Sequence, residues 1–490
     1  MKIKQILCGI ALLLALGDAC AQPAPPPQAG PDPSTLTQAQ IAQAGSAEPL
    51  YKLAAIYKQS GDFERLAWTL HRLTALQPNN GDIKRALATT YALQGEKAKS
   101  YDVLLAMQKQ GFGYDLSKDR NFDKVADTKV WTYLVDGLNT NLKPFGEGKV
   151  AFTLPNGDHL FESLAFDPKR KQFLVGSVRE GTIQRADQNG TLHDFIKPDA
   201  SNGLWSVYAM AVDPDGDALY VASTSSVFFK AFDKADFGKA GVFKFNLSTG
   251  KLAEKYLLTP DNEPRTLSSI AVGKGGQVFA ADGLRGIIYR LDGGQLKPVL
   301  ENPKLTSIRG LALSADGKTL YFADYVAGIL GIDLAAGKGF DLDYDGAGLV
   351  LGGIDGLYWY EGTLVAIENG MSPRRIMRLH LSDDGRKVKH AIPVDVANPA
   401  FGLPTYGTID GDGLYFVANS QKNNYGTYGT PKGDAKMEAV RIFRSNLRFA
   451  WDEGNAVPHV PVKIPPLLAA PRPKGMFGNV EGGAQQAPAK

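Results

Sequence analysis

Two sets of residues in this chain have side chains that do chemistry and a spacing that can bring them together. The first is Glu162, Tyr208, Ser268, Arg309, Asp355 and Thr405, which recur at intervals of 41 to 60 residues, each at the start of a short apolar run. The second is Ser223, Asp282, Asp324, Asn369 and Asn419, which follow 14 or 15 residues later at the ends of further apolar runs. Carboxylates and carboxamides are hard oxygen donors, so at one mouth they can hold Ca²⁺ or a similar divalent cation. Arg309 is of a different kind, because a guanidinium stays protonated and has no lone pair to offer a metal. Its natural partners are a carboxylate or an anionic ligand. A separate acidic stretch, Asp341-Leu342-Asp343-Tyr344-Asp345-Gly346, has the D-x-D-x-D-G order that places three carboxylates around one cation. Position 12 of such a loop is Gly352 rather than Glu and no helices flank it, so an acidic surface turn is the competing reading. Asp213–Asp217 and Asp410–Gly413 read as hairpin turns.

The elements that must position these residues repeat. Ser307 to Asp333 is the clearest copy: two apolar runs split by Asp316-Gly317, then a third run. Asp tolerates the turn and Gly supplies positive φ, so the pair reads as a hairpin. Six such units start at Glu162, Tyr208, Ser268, Arg309, Asp355 and Thr405. None can bury its apolar faces alone, so stacking around an axis is the solution, with an open β-solenoid as the alternative. The expectation is a mainly β chain, a six-bladed β-propeller over 149–447. Gly148 to Pro155 (GKVAFTLP) precedes the first unit and is placed to complete the last blade. In an antiparallel hairpin the start of the first strand and the end of the second share one edge, so both residue sets are expected around one mouth.

Ahead of the β units, residues 36–140 have helical periodicity. At a shift of 34, Leu53 matches Leu87, Ala54 Ala88, Tyr57 Tyr91, Gly61 Gly95 and Leu70 Leu104. This resembles tetratricopeptide repeats, which take peptide segments or partner domains in a groove; a generic pair of helical hairpins is the alternative. Val130, Trp131, Leu134 and Val135 are expected to form the buried side of a last, capping helix. Residues 1–21 read as a signal peptide, with Lys2 and Lys4, an apolar Ile6–Leu16 and the small-x-small Ala19-Cys20-Ala21. The expected location is the periplasm or the exterior, with lipid attachment at Cys20 as the weaker option. Both cysteines, Cys8 and Cys20, leave with that peptide, which excludes thiol chemistry and disulfides from the mature chain. Residues 22–35 are a Pro-rich linker, and 448–490 a Pro-rich tail.

Composition narrows the function classes. A net charge of +3 over 490 residues argues for neither nucleic acid nor an anionic membrane, and no later run suits a transmembrane segment. The six His are scattered without metal-ligand spacing, His159 and His193 being expected on the surface. Gly-x-Ser-x-Gly, His-Glu-x-x-His, a P-loop and a dinucleotide fingerprint are absent. Arg374-Arg375 follows Asn369-Gly370 and either reaches the mouth as an anion clamp or lies on a solvated loop.

The motifs FESLAFD, IRGLALSADGKTLYFAD and IDGLYWYEGTLVAIENG resemble the regucalcin/gluconolactonase family of six-bladed propellers over about 160–447. The resemblance implies a divalent metal at the axis, held by a Glu, two Asn and an Asp, and hydrolysis of sugar lactones or related esters. The family Glu and Asp fall on Glu162 and Asp355, and the two Asn on Ser268 and Arg309. Three readings follow. In one, Arg309 pairs with Asp355 and Glu162 and plugs the axis. In another, the mouth binds a small ligand or partner. In the third, Glu162 and Asp355 serve a metal-dependent lactone or ester hydrolase.

Overall fold

The structure is a computed structural model that describes residues 32–346 and 348–449. The expected signal peptide and most of the tail lie outside these residues. The described residues form six α-helices, then six four-stranded antiparallel sheets.

The helices are α1 (Gln38–Ala42), α2 (Ala47–Ser60), α3 (Phe63–Leu76), α4 (Gly81–Gln94), α5 (Lys97–Lys109) and α6 (Lys129–Asn141). The pairs α2/α3 and α4/α5 start 34 residues apart, at Ala47 and Gly81 and again at Phe63 and Lys97. Each first helix ends on a glycine in the left-handed region, Gly61 at φ +72° and Gly95 at φ +78°, which lets the chain reverse within two residues. Asp62 and Asn80 then accept amide hydrogen bonds from the first turns of α3 and α4. The buried side of α6 is Trp131, Leu134, Val135 and Leu138, whereas Val130 is 52% exposed. Three of the four expected residues are therefore on the buried side, and Leu138 takes the place of Val130 in the i, i+3, i+4, i+7 stripe.

The sheets are consecutive meanders and form the blades of a six-bladed β-propeller. Their first, innermost strands are Phe161–Asp167, Ser206–Val212, Leu267–Gly273, Ile308–Leu313, Ile354–Tyr360 and Gly407–Asp410. Lys149–Leu154 pairs with Val440–Asn446 as the outermost strand of the sixth blade, so a strand from before blade 1 completes blade 6 and closes the ring. Packing repeats the closure. An apolar cluster fills each gap between neighbouring blades, for example Leu311, Phe322 and Leu330 of blade 4 against Phe279 and Ile288 of blade 3. The cluster of Phe152, Leu154, Val175, Val417 and Ile442 joins blade 6 to blade 1. Every blade thus buries both faces, which a single four-stranded sheet cannot do alone.

The helices are not a separate bead. They sit over blades 4 and 5 on the side of the inner-strand starts. Val350 and Met371, from connections of the propeller, belong to the helical core that holds Leu73, Leu104 and Phe112. The Gly113 amide donates to the Ser372 carbonyl (2.7 Å), the Gln110 side chain to the Gly346 carbonyl (2.8 Å), and the Asn79 side chain to the Tyr325 carbonyl (3.3 Å). Buried Arg375 is ion-paired with fully buried Glu368 and reaches across to the Gln110 carbonyl (3.0 Å).

Candidate ligand site at the propeller axis

The residues at the mouth are aimed by one recurring device. In five blades the pairing of the first strand with the second skips a single residue near the start of the inner strand. The skipped residues are Glu162, Tyr208, Ser268, Arg309 and Asp355. A β-bulge leaves such a residue outside the ladder and re-aims its side chain, and the repeat of five turns them all to the axis. In blade 6 the pattern moves by one. Thr405 donates its amide to the Val417 carbonyl (2.9 Å), and the Val417 amide donates to Tyr406 (3.1 Å) before Gly407 pairs with Phe416. The skipped residue is therefore Tyr406. Thr405, expected at this position, is buried beside it with its hydroxyl unpartnered. Blades 5 and 6 both close their inner hairpin through a two-residue turn, but the inner strand ends five residues after Asp355, at Tyr360, and only four after Tyr406, at Asp410.

Around this ring the charges are already partnered. Arg309 Nη1 donates to Asp355 Oδ1 (2.5 Å), its Nε to Ser307 (3.0 Å), and its guanidinium lies 4.2 Å over the Tyr325 ring. Asn369 Nδ2 donates to the other oxygen of Asp355 and to the Pro404 carbonyl (2.8 Å), while its Oδ1 accepts from Tyr325 Oη (3.1 Å). Asp355 is 4% exposed and Arg309 30%, so the pair spans the step from core to solvent. Burial alone would lower the Arg309 pKa, but Asp355 beside it raises it, so the cation is fixed. Glu162, also buried, accepts from the Ser420 hydroxyl. Burial pushes its carboxyl up, with Lys422 and Ser420 acting against that. Tyr208 donates to Ser226 (2.9 Å), and burial pushes its phenol up to about 12. Burial also drives Tyr406 well above the usual phenol range. The result is a polar, hydrogen-bonding mouth with one fixed cation, one paired carboxylate and one carboxyl that burial biases toward its protonated form.

Several expected lining residues do other work. Asp324 accepts four backbone amides, from Thr306 (3.1 Å), Ser307, Val326 and Ala327 (each 2.9 Å). Asp282 accepts from Thr266 (3.1 Å) and Leu284 (3.2 Å), and burial pushes its carboxyl up. Asn419 is bound to the Ala439 carbonyl (3.1 Å) and the Arg441 amide (2.7 Å), and Ser223 accepts from the Trp205 amide (2.9 Å). Asp282 and Asp324 pair directly with the residue before the bulge, as Glu368 does in blade 5. Asn369 and Tyr325 lie one residue further on, and neighbouring strand positions point to opposite faces. Ser268 remains in the ring, but its single hydroxyl hydrogen goes to the Ile308 carbonyl (2.6 Å), with the Ala281 carbonyl further off (3.3 Å). Asp341, Asp343 and Asp345 do not converge: among the described residues no three carboxylate, imidazole or thiol groups are placed to hold a metal ion, and Asp343 faces Lys387 (3.5 Å). Of the paired arginines, Arg374 is exposed and Arg375 is buried against Glu368. His193 is exposed, whereas His159 is half-buried, bound to Glu180 (2.9 Å) and stacked on Phe161. Tyr325, Tyr406, Ser307, Ser420 and Lys422 carry no signal of their own in the sequence. For Tyr325 and Ser420 the signal was adjacency, since each follows a residue that was named.

The donors fit an axial divalent cation poorly. Asp355 already accepts from Arg309 and Asn369, the Ser268 hydroxyl is turned to the Ile308 carbonyl, and Arg309 places a positive charge with no lone pair in the same ring.

No protein-family model matches the chain, and no curated protein matches it. Solved structures do. A glucose dehydrogenase-type oxidoreductase from Thermus thermophilus aligns at 16% identity and a TM-score of 0.40, over 61% of this chain and all of its own. Virginiamycin B lyase from Staphylococcus aureus aligns at 14% identity and a TM-score of 0.41, again over 61% and 100%. A luciferin-regenerating enzyme aligns at 15% identity and a TM-score of 0.41, over 62% of this chain and 95% of its own. Each match covers about three-fifths of this chain, and none carries an activity over to it. Among the described residues no helix is long and apolar enough to cross a membrane.

Proposed function

We propose that this is a ligand-binding propeller protein in which Arg309 takes the place of an axial metal. The observation that carries the reading is the Arg309–Asp355 pair, stacked on Tyr325 and completed by Asn369. A carboxylate left without a cation in a dry mouth carries a large desolvation cost, and a built-in guanidinium offsets it with fixed geometry. Arg309 still presents part of its surface to solvent, so the mouth can meet a small polar or anionic ligand without a metal between. In this reading the propeller is of the regucalcin/gluconolactonase type, as its blade motifs suggest, with an altered axis. The helical pairs are of the tetratricopeptide type, supported by the 34-residue recurrence of α2/α3 in α4/α5. Residues 1–21 direct the chain to the periplasm or beyond, a reading that rests on their sequence alone.

The test is a lactone and ester panel run with and without added divalent cations, beside small-molecule binding followed by thermal shift. The expected outcome is no metal-stimulated hydrolysis, together with ligand-dependent stabilisation that Arg309→Gln abolishes. Metal-dependent turnover lost in both Glu162→Gln and Asp355→Asn would replace this reading with a hydrolase.

A further inference from the structure

The docking of the helices leaves a cleft of about 260 Å³ between the helical domain and the propeller. The amino-terminal turn of α4, with Asp82, and Tyr114 form one wall, and the connection from Asn369 to Arg374 forms the other. Asn369 belongs both to this wall and to the axial cluster, so the cleft adjoins the mouth. Two charges of opposite sign line it. Arg374 is exposed and makes no ion pair with any described residue. It lies close enough to Tyr325 to act, with Arg309, against the burial and the Asp355 charge that push that phenol up. On the facing wall, the Asp82 side chain is 61% exposed and, among the described residues, is held by Arg85 at 3.5 Å and Tyr114 at 3.3 Å. An exposed pair one helical turn apart contributes little, so Asp82 is open to a better partner. A simple anion would meet Asp82, and a simple cation would meet Arg374. A small molecule with both charges satisfies both walls.

We propose that the cleft binds a small zwitterion, an amino acid or a compound of that size, with its carboxylate on Arg374 and its ammonium on Asp82. This rests on the reading of the mouth as a binding site and names the class of ligand that reaches it. The helices are then one wall of the site.

Calorimetric titration of the full chain with a panel of free amino acids, and with the same acids lacking the amine, tests it. At least one amino acid should bind one per chain. Arg374→Ala, Asp82→Asn and removal of the ligand amine should each weaken binding by about tenfold or more. Both residues are exposed, so unchanged melting temperatures of the variants serve as the folding control. No binding across the panel, or binding unchanged in both variants, would overturn the proposal. Binding lost in Arg309→Gln but intact in Arg374→Ala would place the ligand at the axis alone, leaving the axial reading standing and the cleft without a role.

Discussion

Among single residues, Arg309 and Asp355 form the ion pair at the axis on which the proposed function rests. Breaking a buried pair from one side leaves an uncompensated charge, whereas neutralising both sides removes the need for either. Arg309→Gln should therefore cost roughly 2–4 kcal/mol of stability, less than for a fully buried pair because the guanidinium is 30% exposed. Arg309→Gln/Asp355→Asn should recover most of that loss in denaturant titration. A double variant as unstable as the sum of the single ones would show that the two residues act independently. The sequence exposed this pair because Arg309 interrupts a series of otherwise neutral or acidic positions. It hid Tyr406, because one residue fewer in the blade-6 strand changes which side chain is bulged. It also misdirected attention to Asp282 and Asp324. A carboxylate repeated at the same place in successive blades proved to hold backbone amides, while Arg309, the one cation of its set, forms the cluster with Asp355 and Asn369.

At the scale of elements, closure rests on the segment that links α6 to blade 6. The Gly148 amide donates to buried Asp395 (3.0 Å), and a Cβ at Gly148 would overlap the Phe443 ring. Gly148→Ala should lower stability by about 1–3 kcal/mol, the range for overpacking, measurable as a lower thermal midpoint. Burial raises the Asp395 carboxyl from 3.8 to about 6. A carboxyl raised in the folded state favours folding most when protonated, so that contribution is present below pH 3.8 and is lost as pH rises through 6. Asp395→Asn keeps an acceptor for Gly148 and removes the charge. It should raise the midpoint at pH 8 by about 2–5 °C and change little at pH 4. An equal effect at both pH values would contradict the assignment. Closure itself was legible, since GKVAFTLP had no other partner in the six-unit pattern. The stripe of α6 was legible at Trp131, Leu134 and Val135; Val130 is as apolar as its neighbour, and only the packing of Trp131 against Phe122 and Tyr101 decides between the two.

For the whole molecule, the seam between helices and propeller was not legible at all. It depends on contacts hundreds of residues apart, such as Arg375 to Gln110 and Ser372 to Gly113. A shared apolar core and the buried Glu368–Arg375 pair predict that the two parts melt together. Calorimetry should show a single transition in the native chain and a separated, lower-temperature one in Arg375→Gln, which strands Glu368. Two transitions in the native chain would mean that the seam is weaker than its contacts imply. If Arg309 stands in for a metal at the axis, Ca²⁺ titrated into the purified, chelator-treated chain has no site to fill there. The expected result is no stoichiometric binding to the native chain. One ion bound per chain, and lost in Asp355→Ala, would contradict it.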